Sequence, residues 1–282
     1  MAINIPIMIL SKLPTINCIT YDNIEINIIY NKIGDENIMI KSMMELPCKI
    51  QSIVSNFDNF CKKYCIVRKI MDYKKLVGNK YGYLNGIAVL LLVLNIYLKN
   101  QELSDIVFTK TFFEYYSTYD WKTPINIFDY PIDMVKRSYC DKYLTIIDIL
   151  PPHLNVVRNI TDSTWKIILE EFNLCASNFT KEFLNKRREL PIYGDMIYIE
   201  IPNIELMSTY DYLKKKRFIS SQIHKCIRKT DCVPNTTWSI VKNDNNVTLR
   251  YKIFVTNIDD TNTIINRIND LKLNINCYRQ AK

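Results

Sequence analysis

Residues 78–98 read GNKYGYLNGIAVLLLVLNIYL, and the fold is decided there. The chain has only five glycines, and Gly78, Gly82 and Gly86 recur at every fourth position in this stretch. Glycine costs backbone entropy, so a chain poor in it places it where backbone must pass close to something. An unbroken apolar run, residues 87–94, follows at once. The pattern predicts a loop leading into a buried helix. Residues 87–98 contain Asn95 and fall short of the roughly 20 apolar residues that a bilayer span needs. Each buried Leu or Val contributes roughly 1.5–3 kcal/mol, so this helix is expected to be the core of its domain. Two readings of the glycines stay open. They give a core helix a tight approach, or they let backbone pack on a flat ligand such as a nucleotide base.

The 282 residues suffice for two domains, or for one and a fragment. An apolar content of 48% with 23% charged residues describes a globular chain. The net charge of +8 favours an anionic partner: nucleic acid, nucleotide or an acidic membrane surface. Nine cysteines are scattered without a CxxC pair, and no signal-peptide pattern is present. They read as reduced thiols of an intracellular protein. The two histidines, His153 and His224, lie far apart, and His224-Lys225-Cys226 is a poor zinc-ligand spacing.

Outward from the glycine stretch, two strand-like pieces flank a turn within residues 14–32. The second alternates, with Ile24, Ile26 and Ile28 on one face and Glu25, Asn27 and Ile29 on the other. Such a face is where metal-dependent transferases keep ligands, and it is also an ordinary hairpin edge. Residues 51–78 read as a basic helix, with Ile53, Phe57, Phe60, Tyr64 and Val67 at helical spacing. Residues 103–116 give a further helix rich in aromatic residues, which suit a core or a base-stacking surface. Pro124, Pro131 and the pair Pro151-Pro152 mark loops. A helix is expected after residue 155, with Ser163 as its N-cap.

The texture changes near residue 190. Residues 196–201 read as a strand, 208–230 as a basic helix, 237–241 and 247–255 as strands across an Asn-Asp-Asn-Asn turn, and 259–271 as a helix. The order β-α-β-β-α predicts a small α+β sandwich of ferredoxin-like style. Lys186, Arg187 and Arg188 stand at its start. Lys214, Lys215, Lys216 and Arg217 form a run on its first helix, followed by Lys225, Arg228 and Lys229. Four consecutive cations spread around a helix, so they form a solvated face or a surface that tracks phosphates and binds in a salt-sensitive way.

Several segments together resemble the eukaryotic-type poly(A) polymerase family, over about residues 13–255. The strand DNIEINIIY (22–30) is similar to the family's DGIEIDILF. Residues 62–93, KKYCIVRKIMDYKKLVGNKYGYLNGIAVLLLV, resemble its central-domain helix and GFLGG stretch. FFEYYSTYDWKTPI (112–125) resembles its FF…FSTWKWPNP segment, and PPHLNVVRNITDSTWKIILEEF (151–172) its PxYPxxNSTYNVSxST…EEF segment.

The resemblance implies an α+β fold in three parts. Residues 1–50 would be the remnant of a nucleotidyltransferase sheet, 51–188 a helical central domain, and 189–282 a ferredoxin-like RNA-binding sandwich. It implies ATP and Mg²⁺ or Mn²⁺ as the family's cofactors, mRNA 3′-end polyadenylation as the process, and the nucleus as its place, or the cytoplasm for a cytoplasmic virus. Catalysis in the family sets three carboxylates around two metal ions. Here no Gly-Ser loop or Asp-x-Asp strand precedes residue 13, and Asn27 stands at the third carboxylate position. An amide does not replace carboxylate charge at a Mg²⁺ site. The chain alone is therefore expected to transfer no adenylate, to have no catalytic residue and to need no cofactor, with Glu25 the one alternative carboxylate on that face.

The resemblance carries Arg68 onto the triphosphate-contacting Lys, Asn79 onto a base-contacting Asn, and Gly86 and Ile87 onto the helix start that packs on adenine. Val77 replaces a Tyr near the phosphates, and Asp72 reverses a basic position. Lys214, Lys215, Lys216, Arg217 and Arg228 would hold RNA. The expected partners are the mRNA 3′ end and a catalytic poly(A) polymerase subunit or a second copy, and no membrane. Three readings remain: a non-catalytic RNA-holding subunit, one piece of a split polymerase, and a structural module that binds neither ATP nor RNA.

Overall fold

The computed structural model describes residues 7–9, 15–19, 25–29, 38–130, 143–151, 153–157, 159–188, 195–202, 208–227, 230, 232–234, 238–243, 246–255, 258–273 and 275–280. It is a mixed α+β structure with antiparallel sheets. The N-terminal segment is a meander of β1 (Ile7–Ile9), β2 (Thr15–Ile19) and β3 (Glu25–Ile29), in which Asn27 pairs with Asn17 and Glu25 with Ile19. The predicted hairpin is thus one strand larger. The side chains of these strands, including Glu25 and Asn27, lie outside the described residues.

Helices follow: α1 (Ile38–Ile53), α2 (Phe57–Tyr73), a 3-10 turn (Asn79–Tyr81), α3 (Gly86–Tyr97), α4 (Asp105–Thr118), α5 (Asp162–Ser177) and the short α6 (Lys181–Asn185). The long helix expected over 51–78 is shorter. Asn56 ends the break after α1 by capping α2, its side chain accepting from the Asn59 amide at 2.9 Å. The glycine stretch folds as read. Gly82 takes a left-handed φ of 80°, Asn85 caps α3 by accepting from the Ala88 amide at 2.7 Å, and eight residues of α3 are buried.

The aromatic residues of α4 belong to the core. Phe112 packs edge-on to Phe113 and Tyr116, and all three rings meet Phe172 of α5, with centroids 5.0–6.2 Å apart. The Tyr116 hydroxyl donates to the Leu92 carbonyl at 2.9 Å and accepts from Asn95 at 3.1 Å, so a polar pair fixes α4 on α3. The cap of α5 is Thr161 rather than Ser163. Thr161 and Thr164 form a reciprocal capping box, which the neighbouring serine does not.

Asn155 pins the loop before α5. Its carbonyl oxygen accepts from the amides of Ile146 (3.1 Å) and Val157 (3.0 Å), and its amide donates to the Leu144 carbonyl at 3.3 Å.

The C-terminal segment runs β4 (Asp195–Ile201), α7 (Thr209–Ile227), β5 (Cys232–Pro234), β6 (Ser239–Asn243), β7 (Asn246–Val255), α8 (Ile258–Asn269) and β8 (Asn276–Gln280). Across the sheet the strands stand β8, β4, β7. The far edge of β7 is then shared by β6, along its first half, and β5, along its last residues. The two short strands act as one broken strand, so the order is β-α-β-β-α-β. β5 and β8 add to the elements read from the sequence.

In β4, buried Ile197, Ile199 and Ile201 alternate with half-buried Tyr198 and Glu200. The isoleucine face meets Tyr251 and Ile253 of β7 and takes the helices, with Ile219 and Ile223 of α7 and Ile264 and Ile268 of α8 buried beside it. Arg188 fastens the chain where it leaves the helical part. Its guanidinium donates to the Lys74 carbonyl at 3.0 Å and to the Tyr83 hydroxyl at 3.1 Å.

Candidate nucleotide and nucleic-acid site

α2 carries the first half of the site. Tyr64, Arg68 and Asp72 recur at a spacing of four, and so do Cys65, Lys69 and Tyr73, so six side chains share one flank of the helix. With Lys75 and Arg187 they line an open groove of about 410 Å³. Four of the eight lining residues are cationic and one is anionic, so the groove favours an anion.

Arg68 links this groove to the glycine loop. A Cβ at Gly86 would stand 3.2 Å from its Nη1, so residues 68 and 86 meet at the first turn of α3. Ile87, next on that turn, is 38% exposed, an apolar side chain left at the surface of an otherwise buried helix. Asn79 opens the 3-10 turn, where its carbonyl and side-chain oxygens accept from Asn159 at 3.2 and 3.3 Å. The structure therefore brings Arg68 and Gly86 together, with Ile87 adjoining, and sets Asn79 on the neighbouring turn.

Asp72 changes what Arg68 can do. Its Oδ2 accepts from Arg68 Nε at 2.9 Å. Burial alone would lower the pKa of the guanidinium, but the Asp72 carboxylate and Tyr64 outweigh it and the pKa is raised. The cation is secure, and part of its hydrogen-bonding capacity is already used by an internal partner. Val77 is half-buried and bridges to Leu84 through backbone.

The cations at the start of the C-terminal segment divide among three roles. Lys186 is exposed, Arg187 lines the groove, and Arg188 is buried as a structural donor. Near Arg188, buried Glu171 has an Oε2 that receives no hydrogen bond among the described residues. Its pKa is raised by burial, against the lowering influence of Lys74 and Arg188.

On α7, Lys214 is exposed and Lys215 and Lys216 are half-buried. The side chain of Arg217, and Arg228 entirely, lie outside the described residues. The helix packs on the 3-10 turn Asn79–Tyr81, which places the basic run on an element adjoining the glycine loop. Sequence reading singled out Arg68, placed Tyr64 on an apolar stripe and Arg187 among the cations at the start of the C-terminal segment, and gave Lys69, Tyr73 and Lys75 no place in the site. The fourfold spacing along α2 was the available signal for Tyr64, Lys69 and Tyr73.

Among the described residues no group of three or more His, Cys, Asp and Glu side chains is placed to hold a metal ion. No described helix is long and apolar enough to cross a membrane.

No protein-family model matches the chain. No curated protein matches it either. Among solved structures it is similar to a cytoplasmic RNA terminal U-transferase, at 14% identity and a TM-score of 0.48, over 67% of this chain and 74% of that one. It is also similar to the Cid1 poly(U) polymerase with Mg and 3′-dATP bound, at 13% identity and a TM-score of 0.46, over 65% of this chain and 71% of that one. A mutant of Cid1 bound to MgATP gives 13% identity and a TM-score of 0.45, over 66% and 72%.

Proposed function

We propose that this chain is a poly(A) polymerase-like protein of mRNA 3′-end metabolism that holds RNA and carries a weakened nucleotide site, without transferring adenylate on its own. The observation that carries the reading is the meeting of Arg68 and Gly86 beside a basic groove, at the first turn of a buried helix. Arg68 supplies the charge for a triphosphate, and the Gly86-Ile87 turn supplies backbone and an apolar side chain against a base. Asn79 would read the base edge. Asp72 opposes the arrangement by pairing with Arg68, so the site is weaker than a purely cationic one.

The donor set does not fit a two-metal centre. Asn27 is neutral, and its amide is a poor substitute for a carboxylate on Mg²⁺. The C-terminal strand order supports the reading of a ferredoxin-like sandwich. Lys214, Lys215, Lys216, Arg217 and Arg228 on and after its first helix would take the phosphates of RNA, and the chain would act beside a catalytic partner.

RNA binding measured at two salt concentrations tests the reading. A single-stranded oligo(A) should bind with an affinity that falls steeply with salt. Changing Lys214, Lys215 and Lys216 together to Ala should reduce the slope of log K against log salt by about 2, at roughly 0.7 per lost phosphate contact. Binding that ignores salt, or a triple variant with the parent slope, would refute the RNA-holding role of α7.

A further inference from the structure

The face of the C-terminal sheet opposite α7 and α8 carries a row of rings and cations. Tyr198 on β4 is flanked by Lys252 on β7 and by Tyr278 on β8, each directly opposite it in register. The Tyr198 and Tyr278 rings lie 5.6 Å apart and 15° from parallel. The Arg250 guanidinium stands 5.0 Å from the centre of the Tyr198 ring and the Lys252 ammonium 5.5 Å. Glu200 fixes the row from beneath. It accepts from Arg250 Nε at 2.6 Å and from the Tyr278 hydroxyl at 2.9 Å.

The row is accessible. Tyr278 is 38% exposed on an edge strand, and Tyr198, Arg250 and Lys252 are half-buried. Among the described elements, α8 lies against β4, β7 and β8 on the isoleucine face, and α5 packs against β5. Accordingly Val233 of β5 and Phe254 of β7, at that end of the sheet, are buried while the middle of the face stays open.

We infer that this face is a stacking surface for single-stranded nucleic acid, distinct from the basic run on α7. The chemistry selects the occupant. An apolar peptide would bury Lys252 without giving it an anion, at a high desolvation cost. A duplex keeps its base faces hidden. A single strand offers both parts at once: base faces that extend the Tyr198–Tyr278 stack, and phosphates for the guanidinium and ammonium groups. The row crosses three strands, about 10 Å at the spacing of neighbouring strands, which accommodates about two bases. The Glu200 hydrogen bonds hold the Tyr278 ring and the Arg250 fork in place before binding, which lowers the ordering cost. The inference rests on the RNA-holding reading and adds a second surface to it.

Fluorescence anisotropy with a labelled ten-nucleotide oligo(A) tests it on the full chain. Tyr278→Ala should weaken single-strand binding about 5- to 100-fold, the usual effect of removing one stacking ring, with no change in the salt slope. Tyr278→Phe keeps the ring but loses its hydrogen bond to Glu200, so it should bind more weakly than the parent and more tightly than Tyr278→Ala. Lys252→Ala should lower the salt slope by about 0.7. Tyr278→Ala also loses the stack on Tyr198 and the hydrogen bond to Glu200, so a small fall in melting temperature is expected, and Lys252→Ala gives a second readout if the tyrosine variant is unstable. Parent-like affinity of Tyr278→Ala, in a protein that binds RNA, overturns this inference and leaves the α7 surface standing. A parent protein that binds no single strand overturns both. A change of oligomeric state on Tyr278→Ala makes the face a contact between copies, and also overturns the inference.

Discussion

Asp72→Asn separates the two roles that the Arg68–Asp72 pair can play. The pair spans an i,i+4 step on α2, with Arg68 and Asp72 side chains 32% and 51% exposed and a separation of 2.9 Å. Exposed pairs at this spacing contribute about 0.3–0.5 kcal/mol, so the loss of stability should be within that range. The gain in anion binding should be larger. A phosphate seated in the groove at roughly 6 Å from the Asp72 carboxylate is repelled by about 1.4 kcal/mol at an effective dielectric of about 40. Removing that charge should tighten ATP binding about tenfold at low salt and severalfold at physiological salt, where screening acts. Calorimetric titration with ATP and with inorganic triphosphate, alongside a thermal melt, reads both effects. Unchanged or weaker ATP binding, in a variant that melts like the parent, would refute the placement of the phosphates beside Arg68.

Three further perturbations follow from the same structure. Gly86→Ala should change stability by no more than about 1 kcal/mol, because the helix gains a better former while the flexible end of Arg68 gives way; ATP titration should nevertheless show weaker binding, since the added methyl group occupies the meeting point. Asn155→Ala should cost about 2–4 kcal/mol in urea unfolding, because the amides of Ile146 and Val157 both lose their acceptor in a buried setting. Glu171→Gln should flatten the dependence of stability on pH. The folded carboxyl has a raised pKa, so above its ordinary 4.5 the folded state holds more protons than the unfolded one and stability falls as pH rises through the window up to the raised value. Urea midpoints across that range should decline in the parent and decline less in the variant, and parallel curves would count against the burial argument.

The elements legible in the sequence are those whose periodicity is strong. α3 announced itself by an apolar run behind glycines, and β4, α7, β7 and α8 by clear alternation or helical spacing. α1 was hidden by Pro47, which argues against a helix locally and is tolerated here. β5 and β8 are short edge strands whose pairing depends on partners far along the chain. The choice of Thr161 over Ser163 as a cap depends on which hydroxyl finds a reciprocal partner three residues on, and composition does not decide that.

In the site, Arg68 and Asp72 are four apart and their pairing is readable from spacing. The meeting of Arg68 with Gly86 came only through resemblance, because a contact across a loop leaves no local pattern. The division of Lys186, Arg187 and Arg188 into a solvated, a groove-lining and a buried cation depends on packing alone, and residue type gives no hint of it.

Primer extension tests the central claim most directly: the purified chain, an oligo(A) primer, ATP or UTP, and Mg²⁺ or Mn²⁺, with RNA binding followed in the same samples. The account predicts a primer that is bound in a salt-sensitive way and is not lengthened. A ladder of added nucleotides that survives repurification of the chain would contradict it, and would place a working carboxylate set in this polypeptide despite Asn27.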